Sequence, residues 1–593
     1  MAIPGANWLT APVGSTGQFT GANFTKEDLL FARTAEDFVR SEVLPRLDEI
    51  EAKKEGLLST LLKRAGELGL LMVDIPERYG GLGLRKTTSL LIAERSALCA
   101  SFSISAGAHT GIGTLPILYY GSEEQRRHYL PKLATGQWLA AYALTEPGSG
   151  SDALAMKTRA VLEPDGKRYR LTGTKQFITN AGFADLFTVF GKVDGEKVTA
   201  FLVERETPGL SLGAEEHKLG IRGSSTRQVI LEDALVPAEC VLGEVGQGHK
   251  IAFNILNIGR FKLGAGSGGI AKECLQTALT YSSQRRQFGR PIASFGMVQR
   301  KLADMATRVY VADSMSYRTA GLMDEAAGAI DLDEQNGCRR LIEEAIEQYT
   351  IECSILKVFG TETCDFVADE ALQILGGYGF TTEYPVERHY RDARVYRIFE
   401  GTNEINRLII PATIVKRIGQ GGIRYLEFLE QVDREIAGAP VPTTAVRGPF
   451  AVEMEATERA KRVVAFTARI LTERELASLK ERQQHLEILS NMVIDLYAMD
   501  SVVCRSLLLL GHDGPEADAL RCAMTTVFVA SANERIGDGA RRILANELDG
   551  EELRLNQAIV NHLALDFPIR TIGCKTQIAE ALMTQGLGPV FLR

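Results

Sequence analysis

Glu400 is the side chain in this sequence best placed to move a proton. It stands inside Arg394-Val395-Tyr396-Arg397-Ile398-Phe399-Glu400-Gly401-Thr402-Asn403-Glu404-Ile405-Asn406-Arg407, between an apolar-aromatic run and a Gly-Thr turn. An exposed glutamate needs neither neighbour, but one that takes a proton from carbon in a dry pocket benefits from both. Ile398 and Phe399 would strip water from the carboxylate and raise its basicity towards neutral pH. Gly401 would let a ligand approach the backbone. The plain alternative is a helix end.

Four further stretches could cradle a cofactor. Ala141-Tyr142-Ala143-Leu144-Thr145-Glu146-Pro147-Gly148-Ser149-Gly150-Ser151-Asp152 makes a rigid turn rich in exposed N–H groups, and it differs from a dinucleotide GxGxxG. Phe177-Ile178-Thr179-Asn180-Ala181-Gly182 reads as the end of an alternating strand. Arg285-Arg286-Gln287-Phe288-Gly289 would put Arg285 and Phe288 on one helix face, and an arginine fork suits a diphosphate. Gln373-Ile374-Leu375-Gly376-Gly377-Tyr378-Gly379 is a glycine-rich segment at a helix end. Taken singly, these are a solvated turn, a buried aromatic beside an exposed hydroxyl, a surface pair and a helix stop.

Together, and in this order, the five stretches resemble the acyl-CoA dehydrogenase flavoprotein family over about residues 25 to 415. The resemblance implies FAD as cofactor, with Tyr142, Leu144, Thr145 and Ser151 lining the flavin and Ser151 also touching the acyl-CoA. It implies Phe177 against the flavin ring and Thr179 near N5, although many relatives carry Trp where Phe177 stands. Arg285 would reach the FAD pyrophosphate across a subunit interface with Phe288 beside it. Gln373, Gly376 and Gly377 would approach the adenosine half, and Thr402 and Glu404 would complete the site. One FAD would then be held by two chains. Asn257, Arg260 and Gly401 are the remaining substrate-site candidates.

The implied reaction is α,β-dehydrogenation of an acyl-CoA to a trans-2-enoyl-CoA, as in fatty acid β-oxidation. Glu400 takes the α-proton and flavin N5 takes the β-hydride. The Glu400 N–H and an FAD hydroxyl would stabilise the enolate. Some relatives carry the base immediately before the residue matching Arg260; here that residue is Gly259, which leaves Glu400. Gly296, where several medium-chain relatives place Gln, and Asn257-Ile258-Gly259-Arg260-Phe261 both resemble the very-long-chain branch. That branch also carries a long C-terminal extension, which favours long acyl chains. An electron-transfer flavoprotein is the implied acceptor and a homodimer the implied assembly. An acyl-CoA oxidase shares base and flavin. A non-catalytic scaffold shares the fold, but intact Glu400, Thr179 and Arg285 argue against it.

Composition sets the frame. The 593 residues are 45% hydrophobic and 24% charged with a net charge of −8, an ordinary globular mix whose mild acidity disfavours nucleic acid or an anionic membrane as partner. Nine cysteines without a CxxC pair indicate a reducing compartment and no disulfide framework, and eight histidines without an HxxxH cluster indicate no metal site. Residues 1–24 read as a flexible leader lacking the basic start and apolar core of a signal peptide, so a cytoplasmic location is expected.

Periodicity divides the chain. Lys26 to Val43, Lys53 to Leu71 and Lys86 to Leu98 have helical spacing, giving an N-terminal helical domain over 25–138. Lys167 to Ile178, Leu186 to Val193, Val198 to Glu204 and Arg227 to Leu231 favour strands, giving a β-barrel domain over 139–246. Helical spacing resumes at Ile251 for a four-helix bundle domain over 247–418. A breaker-rich linker, 419–451, precedes an additional helical domain, 452–593. The fold class is mainly α with a central β domain. The linker shows no long basic amphipathic helix of membrane-anchoring type, and Val452 to Met583 could instead cover the bundle. The small-residue run Ser101, Ser103, Ser105, Ala106, Gly107, Ala108 could deepen a channel or allow close helix packing.

Overall fold

The structure is a computed structural model and describes residues 3–15, 17, 19–332, 334, 336–438, 448–475, 479–564, 570–588 and 591. The first layer is helical: α1 (Lys26–Phe38), α2 (Leu57–Glu67), α3 (Lys86–Ser96), α4 (Ala100–Gly107), α5 (Leu115–Tyr120) and α6 (Glu123–Ala134). Two of these starts are written locally. Thr25 Oγ1 accepts the Asp28 N–H at 3.2 Å while the Asp28 carboxylate takes the Thr25 N–H at 2.8 Å. Ser122 and Gln125 form the same box at 3.2 and 3.0 Å. Each box satisfies otherwise orphaned helix N–H groups.

Strands β1 (Ala140–Ala143), β2 (Arg159–Leu162), β3 (Arg168–Thr179), β4 (Leu186–Val193), β5 (Lys197–Glu204), β6 (Leu210–Leu212), β7 (Thr226–Pro237) and β8 (Val241–Leu242) follow. Their order is β6-β7-β3-β2-β4-β5-β8, with β1 parallel to β4. This sheet is the expected central β domain. Its end strands β6 and β8 are three and two residues long and do not pair with each other. Buried His109 ties this sheet to the helices: its Nδ1 accepts the Ala140 N–H and its Nε2 meets the Leu133 carbonyl, both at 3.0 Å. Burial pushes its pKa down to about 4, so it does this as a neutral ring.

The bundle comprises α7 (Gly248–Gln284), α8 (Gly296–Ala327), α9 (Thr350–Leu375) and α11 (Asn403–Gly419), with α10 (Pro385–Tyr396) leading into the Glu400 loop. Helices α7 and α9 cross closely at Gly360, where a Cβ would lie 3.0 Å from the Gly264 carbonyl oxygen. Helix α12 (Tyr425–Ile436) lies inside the stretch expected to be linker. Tyr425, Phe428, Leu429, Val432 and Ile436 recur at helical spacing, and the Gly- and Pro-rich flanks obscured it. Residues 439–447 of that stretch lie outside the described ones.

The C-terminal helices are α13 (Ala451–Glu475), α14 (Gln483–Leu508), α15 (Pro515–Glu547), α16 (Gly550–Leu563) and α17 (Thr571–Gln585). Of these, α14, α15 and α17 pack on α8. Most of α8 from Leu302 onward is buried, including fully buried Tyr310 and Arg318. A helix buried all round has no solvent face to spare. The seam is polar as well as apolar: Arg318 Nη1 donates to Ser501 Oγ at 3.0 Å, and Thr319 Oγ1 meets the Tyr497 hydroxyl at 2.8 Å.

The leader is likewise not free over its described part. Trp8 is 2% exposed; its Nε1 donates to Glu352 Oε1 at 2.9 Å and its ring lies 4.7 Å from that of Tyr497. A large indole gains more from this slot, between bundle and C-terminal helices, than from water.

Ending the chain after Ile418 removes α14, α15 and α17 from α8 and exposes that face. The expected outcome by light scattering is aggregation or enlarged oligomers. A truncated protein that behaves and melts as the full chain does would contradict the covering role.

Candidate active site

Glu400 sits at the end of the turn after α10 with φ 58°, followed by Gly401 at φ 77°. A non-glycine residue in the left-handed region is held there by its surroundings. Arg260 Nε donates to the Glu400 carbonyl at 3.2 Å, and Asn406 Nδ2 donates to the Gly401 and Thr402 carbonyls at 2.9 and 3.0 Å. The loop is therefore gripped by its backbone, and the carboxylate is left alone. Glu400 Oε2 is buried without a hydrogen-bond partner, and burial pushes the carboxyl up to about 7, against the opposing pull of Arg260 and Lys357. Such a group can take a proton at neutral pH.

Space for that carboxylate is made by an absence. A Cβ on Gly259 would stand 2.5 Å from Glu400 Oε2 and 3.0 Å from Oε1. Positions 259 and 400 thus face one point, and a side chain at 259 would evict the one at 400.

Asn257 and Arg260 are bonded to each other and to the Glu400 loop. Both are buried; Arg260 Nη1 donates to Asn257 Oδ1 at 2.9 Å, and Asn257 Nδ2 donates to Thr350 Oγ1 at 3.0 Å. Their polar ends are engaged inside the protein, holding the Glu400 loop. Thr402 caps α11 by accepting the Ile405 N–H at 3.2 Å, and Glu404 is exposed in the first turn of that helix.

Lys357 was not singled out from sequence. It is fully buried on α9 and donates from Nζ to Asn403 Oδ1 at 2.7 Å, just beyond the base loop. Burial pushes its ammonium down to about 7, with Glu400 the main group opposing the shift. The available signal was a lone lysine inside the apolar run Ile355-Leu356-Lys357-Val358-Phe359.

A cavity opens from Glu400, Thr179 and Gly259 and runs between α2, α3, α4 and α7 to Ala65 and Leu71. The small-residue run divides. Ser103, Ala106, Gly107 and Ala108 line the cavity, whereas Ser101 bonds to Glu51 at 2.5 Å and Ser105 to Ser224 at 3.2 Å. No atom lies within 4 Å of a Cβ built on Gly107, nor on Gly266 of α7. In the cavity wall, Asp74 is held well below the usual carboxylate range by Lys262 and Lys86 despite its burial.

On the sheet, β3 departs from simple alternation. A bulge between Lys175 and Ile178 gives Phe177 φ 58° and leaves it 61% exposed, while half-buried Thr179 reaches the cavity. A bulge re-aims side chains in this way. The neighbouring turn is locked by Glu146, whose carboxylate accepts Lys175 Nζ at 2.7 Å and the Thr158 N–H at 3.0 Å. Within it Thr145 is half-buried and Ser151 exposed, but Leu144 packs into the core and the Tyr142 hydroxyl donates to the Ala252 carbonyl at 3.4 Å.

A second group lies apart from the cavity lining. Arg285 and Phe288 do not share a helix, since α7 ends at Gln284. A short hairpin follows, β9 (Arg286–Gln287) and β10 (Arg290–Pro291), with Phe288 and Gly289 at φ 50° and 79° forming its turn. Such a two-residue loop needs left-handed backbone at both positions. Phe288 is 93% exposed, and the Arg285 guanidinium carbon lies 5.7 Å from the Tyr378 ring centroid beside the exposed Gln373, Gly376 and Gly377.

Comparison with known proteins bears on this arrangement. Profiles described as the N-terminal, middle and C-terminal domains of acyl-CoA dehydrogenase match residues 25–137, 141–234 and 246–415, and a further C-terminal-domain profile matches 459–562. A probable acyl-CoA dehydrogenase of Bacillus subtilis is 45% identical over 98% of this chain and 97% of its own. The chain belongs to the acyl-CoA dehydrogenase family. It is an enzyme of that class, an oxidoreductase. The very long-chain specific enzyme of rat mitochondria is 37% identical over 79% of this chain and 72% of its own. A crystal structure of an acyl-CoA dehydrogenase complexed with FAD from Bacillus anthracis superposes with a TM-score of 0.96 at 44% identity, covering 99% of each chain. Butyryl-CoA dehydrogenase from Megasphaera elsdenii, with a TM-score of 0.60 and 35% identity, matches over 99% of itself but 66% of this chain. Among the described residues no helix is long and apolar enough to cross a membrane.

Lys357→Met removes a positive charge that opposes the upward shift of Glu400, so the carboxyl should rise above about 7. The pH–rate profile for acyl-CoA-dependent dye reduction should move to higher pH with its plateau largely kept. A lower plateau with an unmoved midpoint would make Lys357 merely structural.

Proposed function

We propose that this chain catalyses FAD-dependent α,β-dehydrogenation of long-chain acyl-CoA to trans-2-enoyl-CoA. The observation that carries the reading is a buried, partnerless carboxylate oxygen on Glu400 at the mouth of a cavity lined mainly by apolar and small residues. The residues suit FAD. Phe177 and Phe288 are exposed aromatics, and no atom lies within 4 Å of a Cβ built on Gly148, Gly150, Gly376 or Gly377. Arg285 has no carboxylate partner among the described residues. Tyr142, Leu144, Thr145, Ser151, Phe177 and Thr179 would hold the flavin half, Leu144 through its backbone. Thr402 and Glu404 would add to it. Arg285, Phe288, Gln373, Gly376 and Gly377, set apart from that group, fit the adenosine half of a partner's FAD. A homodimer follows, and the use of the α8 face by the chain's own C-terminal helices favours it over a tetramer.

Bound FAD supplies the acceptor for the β-hydride. Glu400 takes the proton from the α-carbon, and its raised basicity brings it close to neutral pH. Its backbone N–H has no protein acceptor among the described residues and is available to a thioester oxygen. Arg260 and Asn406 keep the loop from swinging as charge develops, which is pre-organisation at no cost during the reaction. The apolar cavity excludes water from the α-carbon. Electrons would leave to an electron-transfer flavoprotein.

Glu400→Gln should retain yellow colour and acyl-CoA binding yet lose flavin reduction by roughly 10²–10⁴-fold. The assay is anaerobic bleaching with saturated acyl-CoAs of graded length, best with long chains in the wild type. Near-normal bleaching in the mutant would remove Glu400 from the role of base, and rapid peroxide formation without added acceptor would assign oxidase activity instead.

Gly107→Leu fills open cavity volume and should shift the preferred chain length downward while leaving short-chain turnover intact. An unchanged length profile would mean that the acyl chain does not pass Gly107.

A further inference from the structure

A second, solvent-open cleft lies between the bundle and the C-terminal helices. Its walls carry Arg308, Arg407, Arg535 and Arg542 against Glu362, Asp495 and Asp538, an excess of positive charge. Two of the arginines are fully engaged. Arg407 grips Glu362 through both Nη atoms at 2.8 and 3.0 Å, and Arg535 grips Asp495 at 2.7 and 2.8 Å. Glu362 also accepts Asn403 Nδ2 at 3.0 Å.

Arg308 is different. It is half-buried on α8, its guanidinium carbon lies 4.6 Å from the Phe366 ring centroid, and it has no hydrogen bond or ion pair among the described residues. The acid one turn earlier, Asp304, is committed to Arg300 at 3.0 Å and Lys575 at 2.9 Å. Burial, reinforced by nearby Arg535, lowers the Arg308 pKa against the longer-range pull of Asp495, Glu362 and Asp304, none of which bonds to it. A charge removed from water without a partner is costly, and buried charges are normally paired. Stacking on Phe366 leaves the guanidinium edge free, and that edge is a fork matched to two oxygens of one anion. Arg542 is exposed and also lacks a partner among the described residues.

We infer that this cleft is an anion-binding site for a phosphate-class dianion, with Arg308 as its principal donor and Arg542 at its rim. It stands independently of the chemistry at Glu400. The dianion is either inorganic phosphate or a phosphomonoester of a nucleotide, and the two are separable by experiment.

The test is calorimetry and thermal melting of the full-length, FAD-loaded protein with inorganic phosphate, adenosine 3′,5′-bisphosphate, and chloride at matched ionic strength. Phosphate should bind saturably and raise the melting temperature where chloride does not. Arg308→Gln should abolish this binding, and Arg308→Lys should restore part of it. Exposed Arg542→Gln, which cannot be blamed on misfolding, should weaken it by about tenfold, the loss of one charge-assisted contact. In phosphate-free buffer Arg308→Gln should melt no lower than wild type, since it removes an unpaired charge. Tighter binding of the bisphosphate, competitive with phosphate and lost in Arg308→Gln, would identify the phosphomonoester as occupant. Phosphate binding that is equal in wild type and Arg308→Gln, or no saturable binding at all, would overturn the site.

Discussion

A carboxylate that must be dry, unpaired and immobile is a difficult object to fold. Water would relax its charge, and a salt bridge would quench its basicity. The structure holds Glu400 by its peptide groups instead. Arg260 and Asn406 take backbone carbonyls at 400, 401 and 402, so the positively charged donor steadies the loop without capping the carboxylate. Everything nearby serves the same constraint. Gly259 clears the volume, Phe399 and Tyr396 line the cavity that keeps water out, and Asn257 keeps Arg260 aimed. Burial without a direct partner is what brings the carboxyl to about 7.

This arrangement depends on helices that cannot shift. The base loop lies between α10 and α11, and α11 is tied to α9 through Lys357 and Asn403. It is tied to the C-terminal helices as well: Arg407 Nε donates to Asn491 Oδ1 at 2.8 Å, and Ser490 Oγ donates to the Arg407 carbonyl at 2.5 Å. A hydrogen-bonded chain therefore runs from α14 through Arg407, Glu362 and Asn403 to Lys357, beside the Glu400 loop. The C-terminal helices do more than cover α8. They brace the helix whose first turn follows Glu400. Trp8 joins the same assembly from the other end of the chain, bonded to Glu352 on α9 and packed on Tyr497 of α14.

Much of this was legible in the chain. The switch from helical to alternating spacing near residue 140 and the apolar-Glu-Gly-Thr pattern at Glu400 are local signals. Local signals survive because they depend on neighbours a few residues away. The same logic failed wherever a neighbour came from afar. Phe177 reads as part of an alternating strand, but the bulge against β7 turns it outward. Phe288 reads as helical, but Gly289 and Pro291 fold it into a hairpin. The leader reads as mobile because nothing nearby could bury Trp8, whose slot is built by residues more than 300 positions away.

What the sequence alone determined was the class of the fold and, through the motifs shared with the family, Glu400 as the candidate base. Periodicity is a property of contiguous chain and sufficed for the fold class, whereas the candidate base came from the resemblance of five motifs taken together. Tertiary structure decided how that group is tuned. Glu400 owes its basicity to desolvation, held in check by the opposing charges of Arg260 on α7 and Lys357 on α9, which lie 140 and 43 residues before it. Burial is a sum over the whole fold, and no window of sequence contains it. The division of the small-residue run is of the same kind. Ser101 and Ser105 turn away to polar partners while Gly107 faces open volume, because one side of α4 meets the cavity and the other meets protein. Which side is which depends on the packing of α7 and on the strands beyond, and that is settled only when the chain has closed on itself.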